Sequence, residues 1–450
     1  MIRSSAAEYD QLIASGLREL LQAPGEGELQ PGCLQQARLP FREGGLGLRD
    51  HTTLAPAAYW SSWADTLPGL RQRFPAIATN VLTYLTTPAA DRAQDTLSLS
   101  ALEQARDQLE RTCPPLPTWE ALMRGVSPPA PPPTDDDHEA DPGEWQHGWQ
   151  FYTSSALQAH SYRCLLARSP GPDQARLRSC QGRNNSRWLT AIPTSEALKL
   201  SNPVHQCLLR RRLGLPIAAE VEVCEGARCR ALLDPCGHHR SACTRTGRIH
   251  GRHAAASQPW RQILSEAGYR VRSERLLRDT HLRTRPDDQR RMDIVAAPGA
   301  RAVGARRGVP LFGDVTVVSV HTCEGAPRPS AATTDGGVLQ QAVTTKRRRC
   351  ADVHASPQAC LLVLGCEVYG RWCDDATSIV RELAALKAQQ APSRLRNCAR
   401  HAWANRWWSL VGVGVQRAIA EALLRHSGPD LQDNAPLSPA PPLTDVLIGA

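Results

Sequence analysis

The apolar pattern of this 450-residue chain predicts an α+β protein, with a helical N-terminal region followed by a small mixed β-sheet flanked by helices. Apolar residues recur at helical spacing in residues 5–23 and 54–85. Three short apolar runs come later and are strand candidates, at 292–297, 311–320 and 360–368, and the first two contain β-branched residues around a lone acid. Helical patterns surround these runs, over 254–268, from about residue 338, over 375–390 and over 400–425.

Changes in composition divide the chain into six segments. Residues 113–146 are Pro-rich and then acidic, and such a composition buries too little apolar surface to fold, which predicts a linker. The acidic run at 135–137 is interpreted as part of that solvated linker. The predicted order is a helical region (1–112), the linker (113–146), a second helical region (147–220), a Cys/His-rich knuckle (221–253), the sheet domain (254–425) and a loose Pro-rich tail (426–450).

The positive charge of the chain is concentrated in one region. The net charge is +9, and residues 201–310 hold 21 Arg and no Lys against 10 acidic residues, a balance of +11. Clustered Arg is typical of proteins that bind a polyanion, so we expect a nucleic-acid partner. The alternative is biased codon usage, because the whole chain has 50 Arg and only 3 Lys.

The sequence also bears on the compartment. It has no apolar run of about 18 residues, so no membrane partner is expected, and its first residues lack the apolar stretch of a secretory signal. We therefore expect a nuclear or cytoplasmic protein that is not secreted. In such a reducing compartment the 15 Cys are expected to be metal ligands or ordinary buried thiols and not a disulfide scaffold.

A metal site is predicted where Cys and His cluster most densely. Cys224 and Cys229 are separated by four residues and His239 and Cys243 by three, with nine residues between the pairs. Two close pairs joined by a short loop are typical of structural zinc, whose four protein ligands leave no open position. Incidental thiols in a Cys-rich chain are the alternative. Cys236 and His238 are near enough to substitute as ligands, and His250 and His253 lie just beyond.

Two lone acidic residues stand inside apolar strand candidates, Asp293 in the first and Asp314 in the second. Burying a carboxylate in a strand is costly unless a cation or hydrogen-bond donors compensate. On adjacent strands these acids could hold Mg²⁺ through oxygen ligands and activate a water at a phosphodiester. The alternative is two strand-edge acids that face solvent. Glu266 and Glu274 precede the first strand candidate and offer a third carboxylate on a weaker signal.

Lys346 is one of three Lys in the chain and stands beside three Arg, at the predicted opening of a helix. A compact ammonium in that position can orient a water or neutralise the reacting phosphate. The alternative is a helix-end cation on a solvated face.

The order of these parts resembles the C-terminal region of non-LTR retrotransposon polyproteins, in the group whose endonuclease is restriction-like and of the PD-(D/E)XK class. The most specific stretch runs from RRMDIVAAPG through GVPLFGDVTVVSV to LQQAVTTKRRRC. LVLGCEVYGRW and HAWANRWWSLVGVGVQRAIAEALL are similar to retroelement-derived tails of protist genomes, and QARLPFREGGLGLRD resembles the region after a reverse transcriptase thumb. The resemblance covers most of residues 30–425.

This resemblance implies a zinc knuckle followed by a restriction-endonuclease-like domain, with structural zinc and catalytic Mg²⁺ as cofactors. Asp293 and Asp314 would be the metal-binding carboxylates. Lys346 would be the active-site lysine, displaced from the strand onto the following helix, and His253 would assist strand cleavage. The partners would be double-stranded DNA and, as a second ligand, element RNA. Four arginines are the candidate nucleic-acid contacts: Arg248, Arg252, Arg347 and Arg348.

The chain departs from the family pattern in places. A charged stretch follows Pro286, so Asp287 and Asp293 compete as the first-strand acid, and Cys350 stands where such tails place a Tyr. No Tyr/Phe-x-Asp-Asp turn of a polymerase palm occurs, so we expect no reverse transcriptase activity.

Three functions are compatible with these features. The first is Mg²⁺-dependent nicking of double-stranded DNA, which makes the primer end for target-primed reverse transcription. The second is nucleic-acid binding by an Arg-rich zinc module beside an inert nuclease remnant. The third is a decayed retroelement fragment, the end of a longer element or a truncated gene.

Overall fold

The computed structural model describes residues 2–21, 29–92, 96–129, 148–217, 222–282, 284–299, 308–424 and 437–448. The chain divides into two compact units, unit 1 (Met1–Pro40 and Gly47–Ala167) and unit 2 (Phe41–Leu46 and Arg168–Ala450). The predicted α+β class is confirmed, because unit 2 combines helices with a four-stranded mixed sheet. Among the described residues, no helix is both long enough and apolar enough to span a membrane.

The regular secondary structure in the described part of unit 1 is all helical. Its helices are α1 (Ile2–Leu21), α2 (Pro31–Arg38), α3 (His51–Arg73), α4 (Pro75–Thr86), α5 (Leu97–Glu110), α6 (Trp119–Met123) and α7 (Trp149–Arg168). Trp60 and Leu67 of α3 pack with Leu102 and Leu109 of α5 in a fully buried core. Trp149 meets Trp60 edge-on, with ring centroids 5.5 Å apart.

Two segments of unit 1 differ from the sequence prediction. The helical region expected over 54–85 is two helices, because Pro75 cannot continue the hydrogen bonding of α3 and begins α4 instead. Residues 113–129 of the expected linker contain α6 and bury Trp119 in the core. The average composition of that segment hides this short apolar stretch. Residues 130–147 lie outside the described part of the chain.

Unit 2 contains the sheet. Its helices are α8 (Gly171–Ser179), α9 (Arg187–Thr190), α10 (Asn202–Arg212), α11 (His238–Ala242), α12 (Arg248–Glu266), α13 (Gly337–Arg349), α14 (Ala351–Ala355), α15 (Asp374–Ala388), α16 (Arg396–Leu424) and α17 (Leu443–Ile448). Its strands are β1 (Tyr269–Leu276), β2 (Arg291–Pro298), β3 (Leu311–Val318) and β4 (Cys360–Glu367).

The strands lie in the order β1-β2-β3-β4. The β1/β2 and β2/β3 pairs are antiparallel, and the β3/β4 pair is parallel. Helix α12 packs on β1, β2 and β3, whereas α13 packs on β3 and β4, and α15 joins β4 to α16. Helices therefore flank the sheet as the sequence predicts.

The pairing of β2 with β3 is much shorter than that of the other strands. It covers three positions and ends where Ile294 faces Gly313. Beyond this point the backbone N–H and C=O groups of β3 do not pair with β2. We call this region the β2/β3 notch. Asp293 and Asp314 are the first residues on the two strands beyond the last pair.

Strand β1 is the element that the sequence pattern misses. It lies at the edge of the sheet, where only one side of the strand is paired. Its sequence, YRVRSERL, carries exposed charged residues at Arg270, Arg272 and Glu274. An edge strand tolerates charge that a central strand does not, so its apolar signal is too weak to identify it.

Glu266 is not a third carboxylate of the notch, so that weaker prediction is wrong. Its side chain is fully buried and accepts hydrogen bonds from Arg406 at 2.7 and 3.1 Å and from Trp407 Nε1 at 2.8 Å. It ties α12 to α16, because a buried carboxylate is stable only with donors around it.

The Pro-rich tail is partly ordered, contrary to the expectation of a loose segment. Ser438 exchanges hydrogen bonds of 2.8 and 3.0 Å with the side chain of Gln262. Helix α17 packs on α16 and buries Val446. Residues 425–436 and 449–450 lie outside the described residues.

Candidate functional sites

The four predicted ligands of the knuckle converge on one point. Cys224 and Cys229 lie on a hairpin closed by a backbone bridge. His239 lies on α11, and Cys243 follows that helix directly. Their ligand atoms all lie within 4.8 Å of one another.

The distances between these ligands suit a tetrahedral ion. The Sγ atom of Cys243 lies 3.9 Å from those of Cys224 and Cys229, and Cys229 Sγ lies 3.4 Å from His239 Nε2. Two thiolates about 2.3 Å from a tetrahedral centre are about 3.8 Å apart, and a thiolate and an imidazole nitrogen at about 2.1 Å are about 3.6 Å apart. The Cys/His cluster can therefore hold a metal ion.

A neighbouring carboxylate positions the histidine of this cluster. Asp234 accepts the backbone N–H groups of His238 at 2.9 Å and His239 at 2.7 Å, which caps α11. His238 itself points elsewhere, with its ring centroid 4.2 Å from that of His321. The four-residue group includes neither Cys236 nor His238, which the sequence offered as alternative ligands. His250, a third alternative, is exposed and also lies outside the group.

Arg248 and Arg252 are not the phosphate contacts that the sequence predicts. They are 6% and 5% exposed. Arg248 donates to Glu225 at 3.0 Å, and Arg252 donates to the carbonyl oxygens of Ser241 at 2.8 Å and Val317 at 3.3 Å. Burial lowers the pKa of Arg252 to about 10. Both guanidinium groups are occupied inside the protein, and Arg252 joins the knuckle to β3.

The β2/β3 notch is held open by side chains. Asp293 Oδ2 accepts the backbone N–H of Val315 at 2.7 Å. His253 Nε2, from α12, lies 3.1 Å from the same carboxylate oxygen and 2.9 Å from the carbonyl oxygen of Val315. The hydrogen bond to Asp293 raises the pKa of His253. Asp293 and His253 thus provide hydrogen-bond partners for the N–H and carbonyl groups of Val315, which strand pairing leaves unpaired.

Asp314 faces a lysine across the notch. Lys346 Nζ lies 2.6 Å from Asp314 Oδ1, and the two side chains are 29% and 12% exposed. Burial raises the pKa of Asp314, and the ammonium of Lys346 opposes that effect only in part. Lys346 lies in the last turn of α13 and not at the opening of a helix, so this detail of the prediction is wrong.

The structure therefore brings four predicted residues together: Asp293, Asp314, Lys346 and His253. Their charges act on one another, since Asp293 raises and His253 lowers the pKa of Asp314. Asp287 stands on an exposed turn and makes none of these contacts. Of the two competing acids, Asp293 is the one at the notch.

Glu274 approaches the same place from β1. It faces Asp293 across the β1/β2 pair, and the ladder is interrupted there because the φ of Glu274 is +51°. Its ligand atom and those of His253 and Asp293 lie within 4.8 Å of one another. Arg291 Nη1 lies 3.4 Å from Glu274 Oε2.

Of the predicted nucleic-acid contacts Arg347 and Arg348, only Arg348 is exposed and unpaired among the described residues, and two further exposed arginines lie on the same face of the sheet as the notch. Arg347 is paired with Asp375 at 2.8 Å, whereas Arg348 is exposed and has no partner among the described residues. Strand register places Arg270 and Arg272 on the sheet face that carries Asp293 and Asp314, and both are exposed. Sequence reasoning missed these two because their strand was not recognised, although alternate Arg residues in YRVRSERL were a usable signal.

Arg252→Ala should lower the free energy of unfolding of the protein by about 2–4 kcal/mol, because it removes a buried guanidinium that donates to the buried carbonyl group of Ser241 and the partly buried one of Val317. Urea unfolding followed by tryptophan fluorescence measures this. Arg348→Ala is the matched control and should change stability by no more than about 0.5 kcal/mol. If Arg252→Ala kept wild-type stability and weakened only nucleic-acid binding, the structural role would be wrong.

No protein-family model and no curated protein sequence matches this chain. The functional assignment consequently rests on the geometry of the Cys/His cluster and the notch.

Proposed function

We propose that unit 2 is a metal-dependent endonuclease that nicks double-stranded DNA, as in restriction-like retrotransposon nucleases, where the nick primes reverse transcription. The convergence of Asp293, Asp314 and Lys346 carries the proposal. These residues come from β2, β3 and α13, and no local interaction requires them to meet. Interacting carboxylates beside an ammonium are a group set suited to phosphodiester hydrolysis.

In this proposal each residue of the notch would have a separate role in phosphodiester hydrolysis. When bound, Mg²⁺ would supply Lewis acidity toward the phosphate and lower the pKa of a water. Asp293 and Asp314 would provide the oxygen ligands, and His253 orients Asp293 through the hydrogen bond of its Nε2 atom. Lys346 Nζ would donate to a non-bridging phosphate oxygen and offset the charge that develops there.

Asp314→Asn and Lys346→Met should each reduce nicking of supercoiled plasmid in Mg²⁺ by about 100-fold or more, because each removes a charge that acts on the reacting phosphate. Lys199→Met, on an exposed lysine paired with Glu196, is the matched control and should nick as the wild type does. Asp314→Asn should not lower the unfolding midpoint, since burial disfavours the ionised form of Asp314 and the amide removes that charge.

Wild-type nicking by Asp314→Asn would overturn the nuclease proposal. If the wild type binds DNA and never nicks it, the second function, an inert binding module, is correct. One observation favours that second function: Lys346 occupies an oxygen of Asp314 that a catalytic ion would need.

We further propose that the ion of the Cys/His cluster is zinc and that its role is structural. Three thiolates and one imidazole are a ligand set that zinc prefers, and four protein ligands leave no position for a substrate. Among the described residues of the knuckle, the buried apolar cluster contains Leu233 and Cys ligands and little else, so ion binding would supply much of its stability.

Cys229→Ser and Cys243→Ser should each lower the zinc content of the purified protein well below the expected value of about one ion per chain. Both should also lower the thermal midpoint, because ion binding and folding of the knuckle are coupled. Elemental analysis and thermal unfolding measure the two effects. Cys236→Ser and Cys398→Ser are the controls, and loss of zinc in Cys236→Ser would show that the ligand set is misassigned.

Exposed arginines beside the notch support nucleic-acid binding. Arg270 and Arg272 share the face of Asp293 and Asp314, and Arg348 follows Lys346 on α13. Positive charge on this face would attract the phosphates of a duplex toward the notch.

Arg270→Ala/Arg272→Ala should weaken binding to duplex DNA and reduce the slope of log affinity against log salt by about 2, because each phosphate contact contributes about 0.9. Fluorescence anisotropy at several salt concentrations measures this. Arg71→Ala/Arg73→Ala removes two exposed charges from unit 1 and should leave the slope unchanged. An equal change in both variants would mean that net charge, and not this face, determines binding.

A further inference from the structure

His253, Glu274 and Asp293 surround one point at the notch with an imidazole nitrogen and two carboxylates. They belong to three successive elements, α12, β1 and β2. We propose that these three side chains bind a divalent transition-metal ion such as Mn²⁺ in preference to Mg²⁺. The role of this ion in cleavage rests on the proposed nuclease function, whereas its binding can be measured without nucleic acid.

The distances fit a single ion. His253 Nε2 and Asp293 Oδ2 are 3.1 Å apart. Neighbouring ligands on a six-coordinate ion with bonds of about 2.1–2.2 Å are separated by about 3 Å. All three ligand atoms lie within 4.8 Å of one another, close to the separation of about 4.4 Å between opposite ligands of such an ion.

The histidine can serve as a ligand in one tautomer. With its proton on Nδ1, the Nε2 atom of His253 offers a lone pair on the side that faces Asp293. In the other tautomer Nε2 carries the proton and donates it to Asp293 or to the carbonyl group of Val315, so the bound ion takes the place of that proton.

Accessibility separates this position from the space between Asp293 and Asp314. The side chain of Asp314 is only 12% exposed and is neutralised by Lys346 at 2.6 Å. On the other side of Asp293, the side chains of His253 and Glu274 are 33% and 40% exposed. An ion from solvent therefore meets His253 and Glu274 first, and Asp293 Oδ2 lies 3.1 Å from His253 Nε2.

One cation already stands near the site. Arg291 lies 3.4 Å from Glu274, but its side chain is 56% exposed and this distance is long for an ion pair that resists displacement. Arg291 can leave Glu274 for solvent when a divalent ion binds.

The imidazole determines the metal preference. Mg²⁺ selects oxygen ligands and gives up water reluctantly, whereas imidazole nitrogen suits first-row transition metals. A set of one nitrogen and two carboxylates thus favours Mn²⁺ and later transition metals over Mg²⁺. A purely carboxylate pair such as Asp293 with Asp314 would not discriminate in this way.

The test is a titration of the full-length, zinc-loaded protein with Mn²⁺ in the absence of nucleic acid, with free Mn²⁺ followed by electron paramagnetic resonance. We expect one Mn²⁺ site that at least a tenfold excess of Mg²⁺ fails to empty. Glu274→Gln and Asp293→Asn should each weaken binding at least tenfold. Glu274 is exposed, so its variant separates loss of a ligand from loss of folding.

One variant serves as the control. Asp287→Asn removes an exposed carboxylate outside the notch and should bind Mn²⁺ as the wild type does. Asp314→Asn discriminates between the two metal positions, because only an ion held between Asp293 and Asp314 would lose a ligand in this variant.

The outcomes distinguish this inference from the nuclease proposal. Loss of Mn²⁺ binding in Asp314→Asn with retention in Glu274→Gln would place the ion between the two aspartates and overturn the inference alone. Equal competition by Mg²⁺ would overturn the metal preference. Binding with the expected pattern in a protein that never nicks DNA would uphold the inference and overturn the nuclease proposal.

Discussion

The hydrogen bond from the Val315 backbone N–H to Asp293 Oδ2, 2.7 Å long, is the interaction on which the notch depends. In a continuous antiparallel ladder that N–H group would be available to β2. Because pairing stops at Ile294 and Gly313, side chains must satisfy the backbone instead. Asp293 supplies the acceptor and His253 the donor, so the ends of β2 and β3 remain apart with a carboxylate between them.

Helix α12 couples this arrangement to the Cys/His cluster. The helix begins five residues after Cys243, and its first turns carry Arg252 and His253. Arg252 donates to the knuckle at Ser241 and to β3 at Val317, while the adjacent His253 donates to Val315. The position of His253 at the notch therefore depends on the same helix turn that holds the knuckle against the sheet. Metal binding in the cluster would in this way stabilise the geometry of the proposed nuclease site.

The many arginines of unit 2 occupy two different environments. Buried guanidinium groups such as those of Arg248 and Arg252 donate to carbonyl and carboxylate groups of the protein and hold distant segments together. Exposed ones, such as Arg270 and Arg272 on the edge strand, are available to a polyanion. Net charge alone does not separate these groups, because a planar guanidinium with five donors is suited to both environments.

Local spacing was enough to predict the Cys/His cluster, because all four residues lie within 20 positions and a hairpin and one helical turn bring them together. It was also enough to place Asp293 and Asp314 in strands, since a lone acid in a β-branched run is visible without a fold. Packing decided the rest. Glu266 became a partner of α16 and Glu274 a neighbour of Asp293, and that choice depends on residues more than 100 positions away and on the register of an edge strand. Whether a charged side chain is buried depends on the packing of the whole core, so it cannot be predicted from the residues next to it in the sequence.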